Sequence, residues 1–325
     1  MTIEVFSPPF FVRNRDLQTI LPALFRKPVV LKGSPGRIST PDGDFLDIEW
    51  FERHKQRRVA ILSHGLEGSA NAPYIRGMAH GLLGAGWNVL TWNFRGCSGE
   101  PNRKPYWYHS GKSDDLAVIV DHVLAKNHYD NIVLIGFSVG GNITLKYLGE
   151  LGRSVSPHLL GAAVCSVPID LEGCAAALAR PRNAIYMRRF LRLLIQKILE
   201  KNERFPKEIH TQDLSSMKTF YDFDNRYTAP LNGFRDASDY WSKSSSASFL
   251  SEIQVPTLFV SALDDPFLSS SCFPRSEDIS SDVRLCLSDR GGHVGFMMDY
   301  KLKNFWFEKQ TIRFLNEISP RKSYD

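Results

Sequence analysis

The chain has 325 residues, of which 43% are hydrophobic and 23% charged, with a formal net charge of +5. Those fractions belong to a globular protein and exclude a disordered or fibrous chain, and the length suits one α/β core with an insertion. The mild positive charge shows no arginine cluster on a nucleic-acid-binding motif, so nucleic acid is not an expected partner. Five cysteines, Cys97, Cys165, Cys174, Cys272 and Cys286, form an odd set without a C-x-x-C pair, which argues against a disulfide framework and a zinc site. The first residues carry no basic region followed by a long apolar run, and no stretch approaches 18 uninterrupted apolar residues. The expectation is a cytoplasmic protein in a reducing compartment, with at most peripheral membrane contact.

Residues 1–27 read as an irregular arm holding one short helix around Asn14 to Pro22. Strand-like runs follow at 29–32 and 45–51, and the turn Pro41-Asp42-Gly43-Asp44 suggests a hairpin between Arg37-Ile38-Ser39 and Phe45. A buried strand at 58–63 ends in His64-Gly65-Leu66-Glu67-Gly68-Ser69. Next come a helix over 74–83, stopped by Gly84 and Gly86, and a strand at 87–94. Apolar runs alternating with helices are the grammar of a mostly parallel sheet covered on both faces. After the turn-rich loop Asn93 to Arg103, a helix starts at Ser113-Asp114-Asp115 and repeats apolar positions at Leu116, Ile119, Val120 and Val123.

The strand at 132–135 runs into Gly136-Phe137-Ser138-Val139-Gly140 and then a helix over 142–150. A serine hydroxyl is a poor nucleophile at neutral pH, so chemistry there needs a base and donors for developing negative charge. Gly136-x-Ser138-x-Gly140 between strand and helix fits a nucleophile elbow, in which glycines let neighbouring backbones approach. Another buried strand, 160–167, is expected, and then the alternation breaks. Residues 171–250 are helix-rich, basic and aromatic, and read as an inserted cap over a core made of 1–170 and 251–325. Within it, residues 186–202 form a basic amphipathic helix: Phe190, Leu191, Leu194, Ile195 and Ile198 share a face, with Arg188, Arg192 and Lys201 among the polar positions. This helix either roofs the site or rests on an anionic lipid surface. Strands at 255–261 and 283–287 and a closing helix at 303–317 complete the chain.

If Ser138 is the nucleophile, an acid should follow a late strand and a histidine the last one. Ala262-Leu263-Asp264-Asp265-Pro266-Phe267 and Gly291-Gly292-His293 stand at those positions. His293 would take the Ser138 proton and return one to the leaving group, while an aspartate fixes its tautomer. Asp264 and Asp265 compete for that role; Asp265 is preferred because an Asp-Pro-apolar turn directly after the strand suits an acid pointing back at the histidine. The oxyanion donors expected are the N–H groups of Val139 and Leu66, with Gly65 permitting the approach. His64 is expected to hold its loop rather than move protons, and Arg95 to tie its own loop to the core.

Together these motifs resemble the YheT-like esterases and lipases of the α/β-hydrolases: Asn14 to Pro22, His64 to Ser69, Asn93-Phe94-Arg95-Gly96-Cys97-Ser98-Gly99, Tyr108 to Gly111 leading to Asp114-Asp115-Leu116, Gly136 to Asn142, Ala262 to Phe267 and Gly291-Gly292-His293. The resemblance spans nearly the whole chain. It implies a hydrolase of carboxylic esters with a cap, and gives Ser138, one of the two aspartates, and His293 the roles argued above. Val139 stands where leucine is common in that family. The reaction class needs no metal or organic cofactor, and the substrate expected is a short- to medium-chain acyl ester or a lipid. Acyl transfer to an alcohol, or a binding protein that has kept the fold without the chemistry, are the alternative readings.

Overall fold

A computed structural model describes residues 5–53, 56–212 and 214–319. Eight strands form one sheet in the order β1-β2-β4-β3-β5-β6-β7-β8. They are β1 (Ser34–Ser39), β2 (Phe45–Phe51), β3 (Arg58–Ser63), β4 (Asn88–Trp92), β5 (Asn131–Phe137), β6 (Leu159–Cys165), β7 (Thr257–Ala262) and β8 (Val283–Ser288). β1 and β2 pair antiparallel, as do β2 and β4, and every pair from β4 to β8 is parallel. The expected hairpin is the β1–β2 connection, closed by Gly43 N–H to Thr40 O at 2.9 Å with Gly43 at φ 80°.

One expected strand is absent. Residues 29–32 are irregular, with Val30 92% exposed, and the edge strand is Ser34–Ser39 instead. Leu31 packs on the core cluster beneath α2 and α10 but its backbone pairs with no strand, whereas Ser-Pro-Gly-Arg-Ile-Ser is held by the register of its hairpin partner. Strand β1 is otherwise the kind of polar, Pro- and Gly-containing edge that resists further pairing.

The interior strands alternate between two cores. Val59 and Ile61 of β3 join one apolar cluster, Ala60 and Leu62 the other. Helices α2 (Pro73–Gly84) and α10 (Trp306–Ile318) cover one face, burying Met78, Leu82, Phe314 and Leu315. Helices α3 (Ser113–Ala125) and α4 (Val139–Leu151) cover the other with Leu116, Ile119 and Leu145. Burial on both faces explains why these strands read as unbroken apolar runs. Ahead of the sheet, α1 (Arg15–Phe25) is capped by the Asn14 side chain, which accepts the N–H groups of Asp16 and Leu17.

Between β6 and β7 the described residues contain helices and turns but no strand. In order these are α5 (Leu171–Leu178), α6 (Ala184–Arg204), α7 (Phe220–Phe223) running into a π-turn at Asp224–Thr228, α8 (Ala229–Leu231) and α9 (Ala237–Ser244). Chain order places β4 on one side of β3 and β5 on the other. The connections after β3 and β5 therefore diverge, and the crevice between them lies at the carboxyl ends of the strands, where open α/β sheets bind ligands.

Candidate active site

Ser138 sits in the sharp turn from β5 to α4 at φ 52°, a left-handed conformation costly for a residue with a side chain. The turn is tight enough to require its glycines. A Cβ on Gly136 would come within 2.6 Å of Gly140 O, and one on Gly140 would strike the carbonyl oxygens of Ser63 and His64. The Ser138 N–H donates to Cys165 O on β6 at 2.9 Å, so the strained residue is pinned to the sheet. The following N–H, that of Val139, is the first of α4 and one of the four a helix leaves without an intrahelical acceptor.

The loop after β3 lies against this turn: a Cβ on Gly65 would be 3.2 Å from Ser138 Cβ. Its neighbours are engaged, with Gly65 N–H donating to Tyr74 Oη (2.9 Å), Glu67 N–H to Tyr108 Oη (2.8 Å) and Gly68 N–H to Gly65 O (3.0 Å). The Leu66 N–H takes no partner among the described residues. His64 is buried beneath the loop. Its Nε2 accepts the Phe94 N–H at 3.1 Å, which leaves Nδ1–H to donate to Gly65 O at 2.8 Å, and burial lowers its pKa to about 3. It is thus a neutral pin between two loops. Arg95 is also a tie, forked onto Asp115 at 2.6 and 2.8 Å and reaching Asp42 at 2.5 Å.

His293 is reached from both sides. Its Nε2 lies 3.0 Å from Ser138 Oγ and its Nδ1 2.8 Å from Asp265 Oδ2, a carboxylate whose side chain is fully buried. The two aspartates divide: Asp265 meets the imidazole, and Asp264 accepts the Gly292 N–H at 2.9 Å, holding the histidine's loop. Further contacts fix that loop without a signal in the sequence. The Thr19 hydroxyl of α1 accepts the His293 N–H and the Ser166 hydroxyl accepts the Val294 N–H, both at 2.9 Å, and the Phe267 ring tilts over the imidazole at 4.2 Å.

Leu66, Ser138, Val139 and His293 line one inner cavity of about 90 Å³. Its other walls are largely apolar and come from α5, α6, α7 and α9, including Leu171, Leu178, Leu194, Phe220 and Trp241. A wider cleft of about 640 Å³ reaches Ser138 and His293 from outside, between α1 and α6. Among the described residues no three His, Cys, Asp or Glu gather as a metal site would require. A base within reach of a hydroxyl, a carboxylate behind it and two nearby N–H groups can perform acyl transfer through a covalent intermediate.

Helix α6 differs from its sequence reading at one end. Arg188 and Arg192 are exposed, but Lys201 is buried, donating to Asn102 O (3.0 Å) and Lys104 O (2.5 Å), with its ammonium drawn down to about 8 by burial. Carbonyl oxygens presented by the loop below satisfy the charge, a compensation that helical periodicity cannot reveal. Lys197, one turn earlier, reaches through the same wall to Glu67 Oε1 at 2.7 Å, which also accepts the Tyr108 hydroxyl at 2.8 Å.

Known proteins carry the same arrangement of elements. Residues 60–300 match the family model for the alpha/beta hydrolase fold. The YheT protein of Escherichia coli (strain K12), named as a candidate esterase, is 34% identical over 98% of this chain and 95% of its own. The mouse (Mus musculus) phospholipase ABHD3 is 30% identical over 90% of this chain and 74% of its own. Among solved structures, the Pyrococcus furiosus esterase Pf2001 superposes with a TM-score of 0.58 at 18% identity, covering 98% of both chains, which supports the fold. On this likeness the chain belongs to the α/β-hydrolase family and is a carboxylic ester hydrolase.

Proposed function

We propose that Ser138, His293 and Asp265 form the catalytic triad of this hydrolase and that Leu66 and Val139 supply its oxyanion donors. The observation that carries the reading is the unbroken relay Asp265–His293–Ser138, at 2.8 and 3.0 Å. With Nδ1–H donating to Asp265, the Nε2 lone pair of His293 takes the proton of Ser138 as its oxygen attacks the ester carbonyl. Negative charge develops on the carbonyl oxygen beside the N–H groups of Leu66 and Val139. His293 then gives its proton to the departing alcohol, leaving an acyl-enzyme, and a water activated by the same imidazole releases the acid. Asp265 stabilises the imidazolium at each stage and keeps its charge.

Residues 171–250 act as a lid on the core formed by 1–170 and 251–325. The narrow apolar cavity beneath α5, α6 and α9 suits a short- to medium-chain acyl group, and the wider cleft between α1 and α6 suits the alcohol part, which in a lipid is the bulkier half. The phospholipase named above is consistent with such a division.

Labelling with a fluorophosphonate probe tests the nucleophile. The folded protein should label at Ser138, and Ser138→Ala should lose both the label and at least about 10³-fold of its activity toward p-nitrophenyl butyrate. An unlabelled Ser138, or a fully active Ser138→Ala, would overturn the proposal. A p-nitrophenyl series from acetate to palmitate tests the substrate range, and activity confined to the longest chains would refute the chain-length reading.

A further inference from the structure

Large apolar side chains are exposed along the N-terminal arm and α1 and at the start of α6. Phe11 is 77% exposed, Phe25 64%, Leu24 59% and Ile185 66%. Single exposed hydrophobics are ordinary, but a cluster of them at the rim of a cleft marks a contact surface. Leu24 of α1 and Ile185 of α6 both line the cleft whose floor holds Ser138 and His293. The two helices are joined at the N-terminus of α1, where the Tyr186 hydroxyl donates to Asp16 at 2.8 Å.

The same rim is strongly cationic. No Asp or Glu occurs from residue 173 to 199, a stretch that carries Arg180, Arg182, Arg188, Arg189 and Arg192. All five are exposed, and none has an ion-pair partner among the described residues. Arg188, Arg189 and Arg192 line the cleft beside Leu24 and Ile185. Unpaired guanidinium groups flanking exposed aliphatic and aromatic side chains are the combination that seats a helix in the headgroup region of an anionic bilayer.

We propose that the α1–α6 rim docks on an anionic lipid surface, placing the mouth of the cleft against the bilayer. Arginines then contact headgroup phosphates while Phe11, Leu24, Phe25 and Ile185 enter the acyl boundary. The charge selects anionic over zwitterionic lipid, and the apolar side chains hold the contact once made. An ester residing in that bilayer reaches Ser138 through the cleft without crossing water.

Vesicle co-sedimentation tests the surface with the full chain. The protein should sediment with phosphatidylcholine vesicles containing phosphatidylglycerol and weakly with phosphatidylcholine alone, and added salt should weaken the binding. The triple substitution Arg188→Gln, Arg189→Gln, Arg192→Gln should reduce affinity for the anionic vesicles about 100-fold. Phe11→Ser with Phe25→Ser, two side chains outside the cleft, should lose vesicle binding while hydrolysing a soluble short-chain ester at the parent rate, which also reports an intact fold. Ser138→Ala should bind like the parent, so a failure of this proposal is distinguishable from a failure of the triad. Absence of binding to anionic vesicles, equal binding to both compositions, or indifference to both sets of substitutions would refute it. So would sedimentation velocity showing a dimer that the Phe11→Ser, Phe25→Ser protein cannot form, because the rim would then be covered by a second copy.

Discussion

Replacing each aspartate by asparagine separates the two acids that stand side by side in the sequence. Asp265 uses both oxygens: Oδ1 accepts the Phe267 N–H at 2.9 Å and Oδ2 faces His293 Nδ1 at 2.8 Å. An asparagine there has one acceptor and one donor. Turning its amine toward the Phe267 N–H would bury two donors against each other, at about 1–3 kcal/mol, so its carbonyl goes to Phe267 and its amine to His293. The imidazole must then accept at Nδ1 and carry its proton on Nε2, where it can no longer take one from Ser138. Imposing the wrong tautomer on a triad histidine costs about 10⁴-fold, or about 5.5 kcal/mol of barrier. Asp264 faces a single N–H, that of Gly292, which an asparagine carbonyl serves equally well, so Asp264→Asn should lose less than about tenfold. The assay is kcat/KM on p-nitrophenyl butyrate, with thermal melting to check that both variants fold. An Asp265→Asn enzyme within tenfold of the parent, or an Asp264→Asn enzyme that is the more damaged, would refute the reasoning.

Two further expectations concern buried charge. Lys197 and Glu67 are both 8% exposed, so Lys197→Met strands a carboxylate beside the Leu66 donor and should cost about 3–5 kcal/mol of stability; Glu67→Gln added to it should restore most of the loss, and an unchanged melting temperature in the single variant would count against the pair. Asp224 is held by Thr228 and Trp241, and burial lifts its pKa from 3.8 to about 6. The folded protein therefore holds a proton there that the unfolded chain has released between about pH 4 and 6, so this carboxyl's contribution to stability falls as pH rises through that window and is level above it. Asp224→Asn should remove the slope, with the melting-temperature advantage of the variant growing from pH 4 to 6; a difference independent of pH would exclude Asp224 as its source.

The sheet was legible because strands buried on both faces must be apolar at every position, and β3, β5, β6 and β7 advertise themselves that way. Strand β1 has no such obligation. It is an edge whose partner is set by the hairpin turn, and the apolar residues 29–31 just before it mimic a strand although only Leu31 packs on the core and none pairs. The relay was legible because each member follows a strand whose place in the sheet the alternation already implies. The supports of the relay were not. Nothing local to Thr19 or Ser166 distinguishes a hydroxyl that holds the histidine's loop from one that faces water, since both contacts span more than a hundred residues. Lys197 and Lys201 mislead in the opposite sense: a lysine on a helical period reads as solvated, and only the carboxylate or carbonyls opposite it show that it is buried.

Those supports explain how a site assembled from distant loops stays aimed. Among the described residues seven other than glycine have positive φ, and five of them, Glu67, Ser138, Ser166, Val294 and Phe296, lie in the loops that meet at the crevice. Each such conformation costs about 1–3 kcal/mol and persists only where its surroundings over-determine it. Here the backbone N–H of every one is held: Glu67 by the Tyr108 hydroxyl, Ser138 by Cys165 O, Ser166 by Val260 O, Val294 by the Ser166 hydroxyl and Phe296 by Gly291 O. Ser166 is strained itself and also restrains Val294, directly beyond the histidine, so the loop after β6 sets the loop after β8. The Tyr108 hydroxyl that holds the Glu67 N–H also donates to the carboxylate that Lys197 of α6 grips, so the loop after β3 is tied to α6 and to the core at once. One ion pair and one hydroxyl thus link α6 to the residue that follows Leu66.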